Sequence, residues 1–429
     1  MADPKRVLII SPYFAPSNAA DMQRVRMSLP YFKQFGWDAA VVVVDDQYSE
    51  MLKDELLQQS IPAAIHIYKV AALSKKLTGK VGLGSLALRS MWYYLKKVNQ
   101  LLRQTKYDLI YFSTTQFQIT ILGNYWKRKF KVPYIIDVQD PWHSDYYKNK
   151  PKSEQPAKYW FSYRLNKYLE PVAMNHVDGL IGVSEGYIDD LKARYPAIKN
   201  IPGVTIPFGA FSPDLKIATA NEQQFKPLLQ PGFKNIVYVG RGGADMHPAL
   251  SATFAVLKSC IQADPDLFKT IRIYFIGTSY APAGQGKQTI LPLAKEFGIE
   301  DHVVEITDRI SYYHTLNTLQ QADALLIPGS DDPNYTASKI YPYLLTHKPL
   351  LAVFHSKSPA LKVLAEYDAP FAYSYDEDKN VQIKIADFFK TVALGNMPEQ
   401  HYNAEATNKY SAENMTKQQC LFFDEVISK

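Results

Sequence analysis

Four consecutive aliphatic residues, Val7 to Ile10, open the chain, and similar unbroken apolar runs return every few tens of residues. Such runs lack the alternation of a half-exposed strand and fit strands buried on both faces of a parallel sheet. In the first half they predict strands at 6–11, 38–44, 109–113, 134–138 and 179–183. Helical spacing of apolar residues falls between them, at 21–35, 117–130 and 156–176. The pattern restarts with predicted strands at 235–239, 272–276, 303–306, 324–327, 350–354 and 371–373, and a helix over 248–263 whose first position suits Pro248. Strand and helix alternate throughout. That order predicts an α/β fold of doubly wound parallel sheets.

A chain of 429 residues is too long for one hydrophobic core. The stretch 202–231 is rich in Pro and Gly and reads as the connection between two domains. The expected division is 1–206 and 207–407, with a C-terminal helix, 408–429, packing back on the first domain. Cys260 and Cys420 sit in apolar surroundings without ligand spacing and read as reduced core residues of a cytoplasmic protein. No run approaches the length of a membrane span.

Charge changes this picture in one place. The net charge is +6, but residues 1–205 hold 28 Lys and Arg against 18 Asp and Glu, whereas 206–429 hold 20 against 24. No acidic residue lies between Glu55 and Asp108, a span that contains Lys69, Lys75, Lys76, Lys80, Arg89, Lys96, Lys97, Arg103 and Lys106. The basic segment 69–106 also carries Trp92 among apolar residues. It can form an amphipathic helix lying on an anionic membrane surface, or a helix packed on the first domain with solvated lysines. No nucleic-acid-binding module is recognisable, so nucleic acid is not an expected partner.

Ligands of doubly wound sheets bind outside the carboxyl ends of the strands. Two cations stand at such places. Arg241 follows a predicted strand inside the turn Gly240-Arg241-Gly242-Gly243, whose N–H groups are expected to be unobstructed. Lys339 follows Ser338, a predicted N-cap, at the start of a short helix over 338–345 that precedes the strand 350–354. Together they can grip a diphosphate; alternatively, Arg241 pairs with Asp245 and Lys339 is solvated. In the first half, Asp137 and Asp140 end a predicted strand and can bind sugar hydroxyls or act as a base, while Asp140 can equally cap a helix. Asn18 is a predicted N-cap for the first helix. The histidines are scattered and the Asp-x-Asp spellings at 264–266 and 376–378 look like surface turns, so no metal site is expected. The glycine spacings of nicotinamide, P-loop and serine-hydrolase sites do not occur.

The stretches RVLIISPYFAPSNAADMQRV, VPYIIDVQDPW, VDGLIGVSEGYIDDL, IVYVGRGG and ADALLIPGSDDPNYTASKIYPYLLTHKPLLAVF, in that order, resemble the GT-B glycosyltransferases, specifically their large retaining family 4. The resemblance implies two Rossmann-like domains facing a cleft, the first for acceptor and the second for a nucleotide-sugar. It implies that Arg241 and Lys339 bind the donor diphosphate, with Gly240, Gly242 and Ile340 lining the same site. The family's glycine pair corresponds to Asn18-Ala19 or Ala19-Ala20, and its two glutamates to Asn334 and Pro342. The lysine that the family places shortly after the arginine falls near His247, and the region 114–120 has no histidine.

The reading that follows is a retaining, metal-independent and cofactor-free glycosyltransferase with Arg241, Lys339 and Asp140 as catalytic residues. It would move a sugar from a UDP- or GDP-linked donor to a glycan or lipid-linked acceptor in surface polysaccharide or glycolipid synthesis, in the cytoplasm or on the inner face of the cell membrane. A catalytically degenerate binding partner of the same fold is the alternative, and a nucleotide-sugar epimerase a third reading.

Overall fold

The computed structural model describes residues 4–145, 148, 152, 155, 159–333, 335 and 337–428. The chain divides into two compact units, Met1–Gly209 with Ser411–Lys429, and Ala210–Tyr410.

The first unit is built on seven strands: β1 (Lys5–Ile10), β2 (Trp37–Val44), β3 (His66–Val70), β4 (Leu109–Ser113), β5 (Tyr134–Val138), β6 (Gly179–Gly182) and β7 (Gly203–Thr205). Their order is β3-β2-β1-β4-β5-β6-β7, and every pairing is parallel. The aliphatic runs become the central strands because both faces are covered. On one side the helix Leu86–Gln104 buries Ala87, Tyr94, Val98 and Leu101. The C-terminal helix Ala412–Ile427, with Ser411 capping its first turn, places the Phe423 ring 5.4 Å from that of Trp37 and 5.1 Å from that of Tyr111.

Three local expectations change. The helix expected over 21–35 is broken into a 3-10 turn at Ala20–Met22, a helix at Gln23–Ser28 and a second 3-10 turn at Phe32–Phe35. Pro30 has no N–H to extend the ladder, which accounts for the break. The stretch 202–231 is more than a connection, since it contains β7 and the helix Pro213–Ala220. An additional strand, β3, is a half-exposed edge with only Val70 fully buried.

The second unit has six strands: β8 (Lys234–Val239), β9 (Ile271–Ile276), β10 (Val303–Ile306), β11 (Ala324–Pro328), β12 (Leu350–Phe354) and β13 (Ala372–Ser374). The order is β10-β9-β8-β11-β12-β13, again all parallel. The helix His247–Ala263 covers one face with Leu250, Phe254 and Leu257. Chain order reverses between β1 and β4 in the first sheet and between β8 and β11 in the second. The loops leaving those strands therefore diverge and open a crevice at each sheet's carboxyl edge.

Candidate functional site

In the second unit the crevice lies between the loop after β8 and the loop after β11. Tyr238 points from β8 into this region, and its phenol donates to the Arg241 carbonyl at 2.8 Å. The same oxygen accepts a hydrogen bond from Lys339 Nζ at 2.7 Å. Lys339 comes from the segment ahead of β12, so one phenol ties together groups 101 residues apart. No carboxylate among the described residues pairs with the lysine. Burial, followed by repulsion from Arg241, pulls its pKa from the usual 10.5 down to about 7.

Arg241 grips Asp245 with two parallel bonds, NH1 to Oδ1 at 2.9 Å and NH2 to Oδ2 at 2.6 Å. That contact holds the Asp245 carboxyl below its usual range and raises the pKa of the guanidinium. Ser330, just past β11, donates to Asp245 Oδ2 at 3.1 Å, and the Asp331 N–H donates to the Asp245 carbonyl at 2.7 Å. The fork leaves three of the five guanidinium N–H groups for a ligand. The trio Arg241, Asp245 and Lys339 carries one net positive charge when the lysine is protonated.

Gly240 is required at its position. Its φ is +153°, and a Cβ there would collide with Lys339 Nζ and lie 3.0 Å from the Tyr238 hydroxyl. Gly242 is close-packed too, since a Cβ would lie 2.9 Å from Thr289 Oγ1.

In the first unit the crevice between β1 and β4 holds a buried carboxylate, Asp21. It accepts from Thr114 Oγ1 at 2.9 Å, the Thr115 N–H at 2.9 Å and Thr115 Oγ1 at 3.1 Å. Burial pushes its pKa up despite these bonds. Asp140, beyond β5, is exposed and also has a raised pKa, through local desolvation and then repulsion from Asp21. Two carboxyls near one strand edge thus both favour the protonated form more than a free carboxyl does.

Residues 36–209 match the family model described as Glycosyltransferase Family 4. That segment is similar to family 4 glycosyltransferases, and the chain has the GT-B fold. Its fold is shared with a UDP complex of Anabaena HepE, at 15% identity and TM-score 0.55 over 98% of this chain and 100% of that one. The N-terminal domain of Candida albicans trehalose-6-phosphate phosphatase aligns at 12% identity and TM-score 0.60, covering 98% and 97%. An α,α-trehalose-phosphate synthase (UDP-forming) from Burkholderia vietnamiensis aligns at 12% identity and TM-score 0.51, covering 99% and 100%. A search of curated proteins finds no match.

Within this GT-B frame the sequence candidates fall into three groups. Arg241 and Lys339 converge on the crevice, and Arg241 is also paired with Asp245, which joins two readings that the sequence presents as alternatives. A second group is held differently from expectation. The N–H groups of Gly240 and Gly242 are not free, because they donate to Ile276 O and Thr278 O, each at 2.9 Å. Ile340 is buried and its N–H donates to Ala337 O at 3.0 Å, so it offers no amide to a ligand. Ser338 does not cap a helix: the N-cap is Lys339 itself, and the helix is only Ile340–Leu344, with Pro342 inside it. Asn18 is likewise no cap, because Ala19 occupies that position. The Asn18 and Ala19 amides donate to Leu52 O and Ser17 O. Asp137 is sealed in the core beside Arg24, with both side chains 0% exposed, so it cannot touch a sugar. The third group is Asn334 alone, which lies outside the described residues.

Three functional candidates emerge only from the fold. Tyr238 interrupts an otherwise aliphatic strand, a signal visible in IVYVG. Ser330 follows a strand end. Asp21 reads as an ordinary acid in a first helical turn, and nothing local marks it as buried.

Proposed function

We propose that the protein is a retaining, metal-independent glycosyltransferase that uses a UDP-linked sugar. The observation that carries this reading is Lys339, a half-buried ammonium without a carboxylate partner among the described residues, beside Arg241 at the crevice of the second sheet. An ammonium desolvated this far is costly unless an anion arrives. A sugar diphosphate is the anion such a crevice suits, and the UDP bound in HepE favours uridine.

In the transfer, the bond between the anomeric carbon and the phosphate oxygen breaks, and its electron pair leaves on the diphosphate. Arg241 and Lys339 stabilise that growing charge in a partly water-excluded place, where fixed cations act most strongly. The acceptor oxygen forms the new bond to carbon and gives its proton to the departing phosphate oxygen. The acceptor is a glycan or a lipid-linked saccharide, and the setting is polysaccharide or glycolipid assembly at the inner face of the cell membrane. The basic, Trp-bearing segment 69–106 supports that location.

The test pairs Arg241→Ala and Lys339→Ala with a panel of UDP- and GDP-sugars and extracted lipid acceptors, scored by product mass. Each variant should lose turnover while keeping its circular dichroism spectrum. Near wild-type turnover in both would sink the assignment. A degenerate binding partner is the second reading, favoured by Pro342 in place of a family glutamate. It predicts UDP binding by the wild type without product from any donor.

A further inference from the structure

Apolar side chains exposed at the surface are unevenly distributed. Of the thirteen large hydrophobic residues that stand out from the described surface, seven fall in two stretches of the first unit: Leu73, Leu77, Leu83 and Trp92 in one, and Trp160, Tyr168 and Val172 in the other. The second stretch is an i, i+4 face of the helix Tyr159–Met174, which runs Trp160, Arg164, Tyr168 and Val172. The two stretches adjoin, since a Cβ on Gly82 would lie 2.7 Å from the Phe161 ring.

Charge follows the same surface. Lys69, Lys75 and Lys106 are offset by carboxylates from outside the basic segment, namely Asp46, Glu50 and Asp108, and Arg89 is buried against the carbonyls of Leu73 and Tyr48. This corrects the expectation of a basic face without acidic counterweight. No carboxylate among the described residues pairs with Lys76, Lys80, Lys96 or Arg164. Lys96 lies 5.6 Å from the Trp92 ring and Arg164 lies 5.6 Å from the Trp160 ring. The one acid in the helix Tyr159–Met174, Glu170, is buried and paired with Arg194.

We infer that this composite face docks on a bilayer of anionic phospholipid, with Leu77, Leu83, Trp92 and Trp160 entering the interface and Lys76, Lys80, Lys96 and Arg164 meeting phosphates. Indole rings backed by cations suit the headgroup zone, where an apolar body and a charge are both accommodated. The helix Tyr159–Met174 widens the surface beyond the segment 69–106. The inference does not depend on the transfer reaction, because lipid binding is measured without a donor.

The experiment is vesicle co-sedimentation of the full chain with phosphatidylcholine alone and with phosphatidylcholine containing phosphatidylglycerol, at low and high salt. Wild type should bind the anionic vesicles, weaken with salt and ignore the neutral ones. Lys80→Gln with Lys96→Gln should lower partitioning by about thirtyfold, on the basis of roughly fivefold per surface cation. Trp92→Ala with Trp160→Ala should lower it as well, with thermal stability unchanged in both. Wild type failing to bind anionic vesicles overturns the inference, as do variants that bind like wild type. A lipid-free dimer abolished by the tryptophan pair also overturns it and assigns the face to a second copy.

Discussion

Lys339 Nζ sits 4.3 Å from the centroid of the Tyr238 ring and donates to its hydroxyl at 2.7 Å. A neutral phenol therefore holds the ammonium where an ion pair would otherwise be expected. The pairing fixes the position of the charge without cancelling it. With a pKa of about 7 in the free protein, the lysine is about half protonated near neutrality.

Nucleotide binding should consequently depend on pH. A bound diphosphate favours the ammonium, so binding above pH 7 draws in a proton. UDP affinity should fall by about tenfold per pH unit between pH 7.5 and 9. Calorimetry in buffers of different ionisation enthalpy would report the proton uptake. A flat affinity across that window contradicts the assignment of Lys339 to the phosphates.

The same lysine should weaken the fold of the nucleotide-free protein. Its folded pKa, about 7, lies below the ordinary 10.5, so the unfolded chain holds more protons between these values. Stability contributed through this group therefore rises as pH increases from 7 to 10.5, and the penalty is fully present below pH 7. Lys339→Met should stabilise the free protein at pH 7 by on the order of 2 kcal/mol while removing UDP binding. Urea denaturation at pH 6.5 and 10 would show the variant's advantage shrinking at the higher pH.

Tyr238→Phe keeps the ring and deletes the hydroxyl. Lys339 then loses its acceptor and the Arg241 carbonyl loses a donor. Hydrogen bonds to charged groups are worth about 1.5–3 kcal/mol, so UDP affinity should fall by at least about tenfold. The midpoint of the pH dependence should move as well, which a general loosening of the loop would not produce. Gly240→Ala should have the larger effect, because its Cβ collides with the lysine itself.

These relationships show why some of the fold was readable from sequence and some was not. The unbroken runs of β1, β4 and β12 identify themselves, because a strand covered on both faces needs no polar position. β3 escapes detection because His66 and Lys69 break its apolar character on an exposed edge. β7 is three residues within a Pro- and Gly-rich stretch. Arg241 and Asp245 are four apart and can be paired on paper, whereas Tyr238 and Lys339 meet only after β8 and β11 have been laid side by side. Helix caps were least legible: Asn18 and Ser338 are good capping types, but the N-caps fall one residue later, at Ala19 and Lys339.

Asp137 illustrates the same limit and yields a stability test. It ends a strand with the spacing of a sugar-binding acid, yet its Oδ2 lies 2.8 Å from Arg24 Nε. That oxygen also accepts from Ser113 Oγ and Gln139 Nε2, each at 2.8 Å, and from the Tyr111 hydroxyl at 3.2 Å. The guanidinium continues to the Ile206 carbonyl at 2.7 Å and faces the Phe208 ring at 4.8 Å. Removing one partner leaves a buried charge without its counterion, which costs about 3–5 kcal/mol. Asp137→Ala should lower the denaturation free energy by about that amount. Arg24→Met combined with Asp137→Leu should recover part of the loss, since no charge is then stranded. It should remain below wild type, because the buried Ser113 and Tyr111 hydroxyls then lack their acceptor. Equal stability of Asp137→Ala and wild type in urea titrations would mean that the pair is not buried in solution.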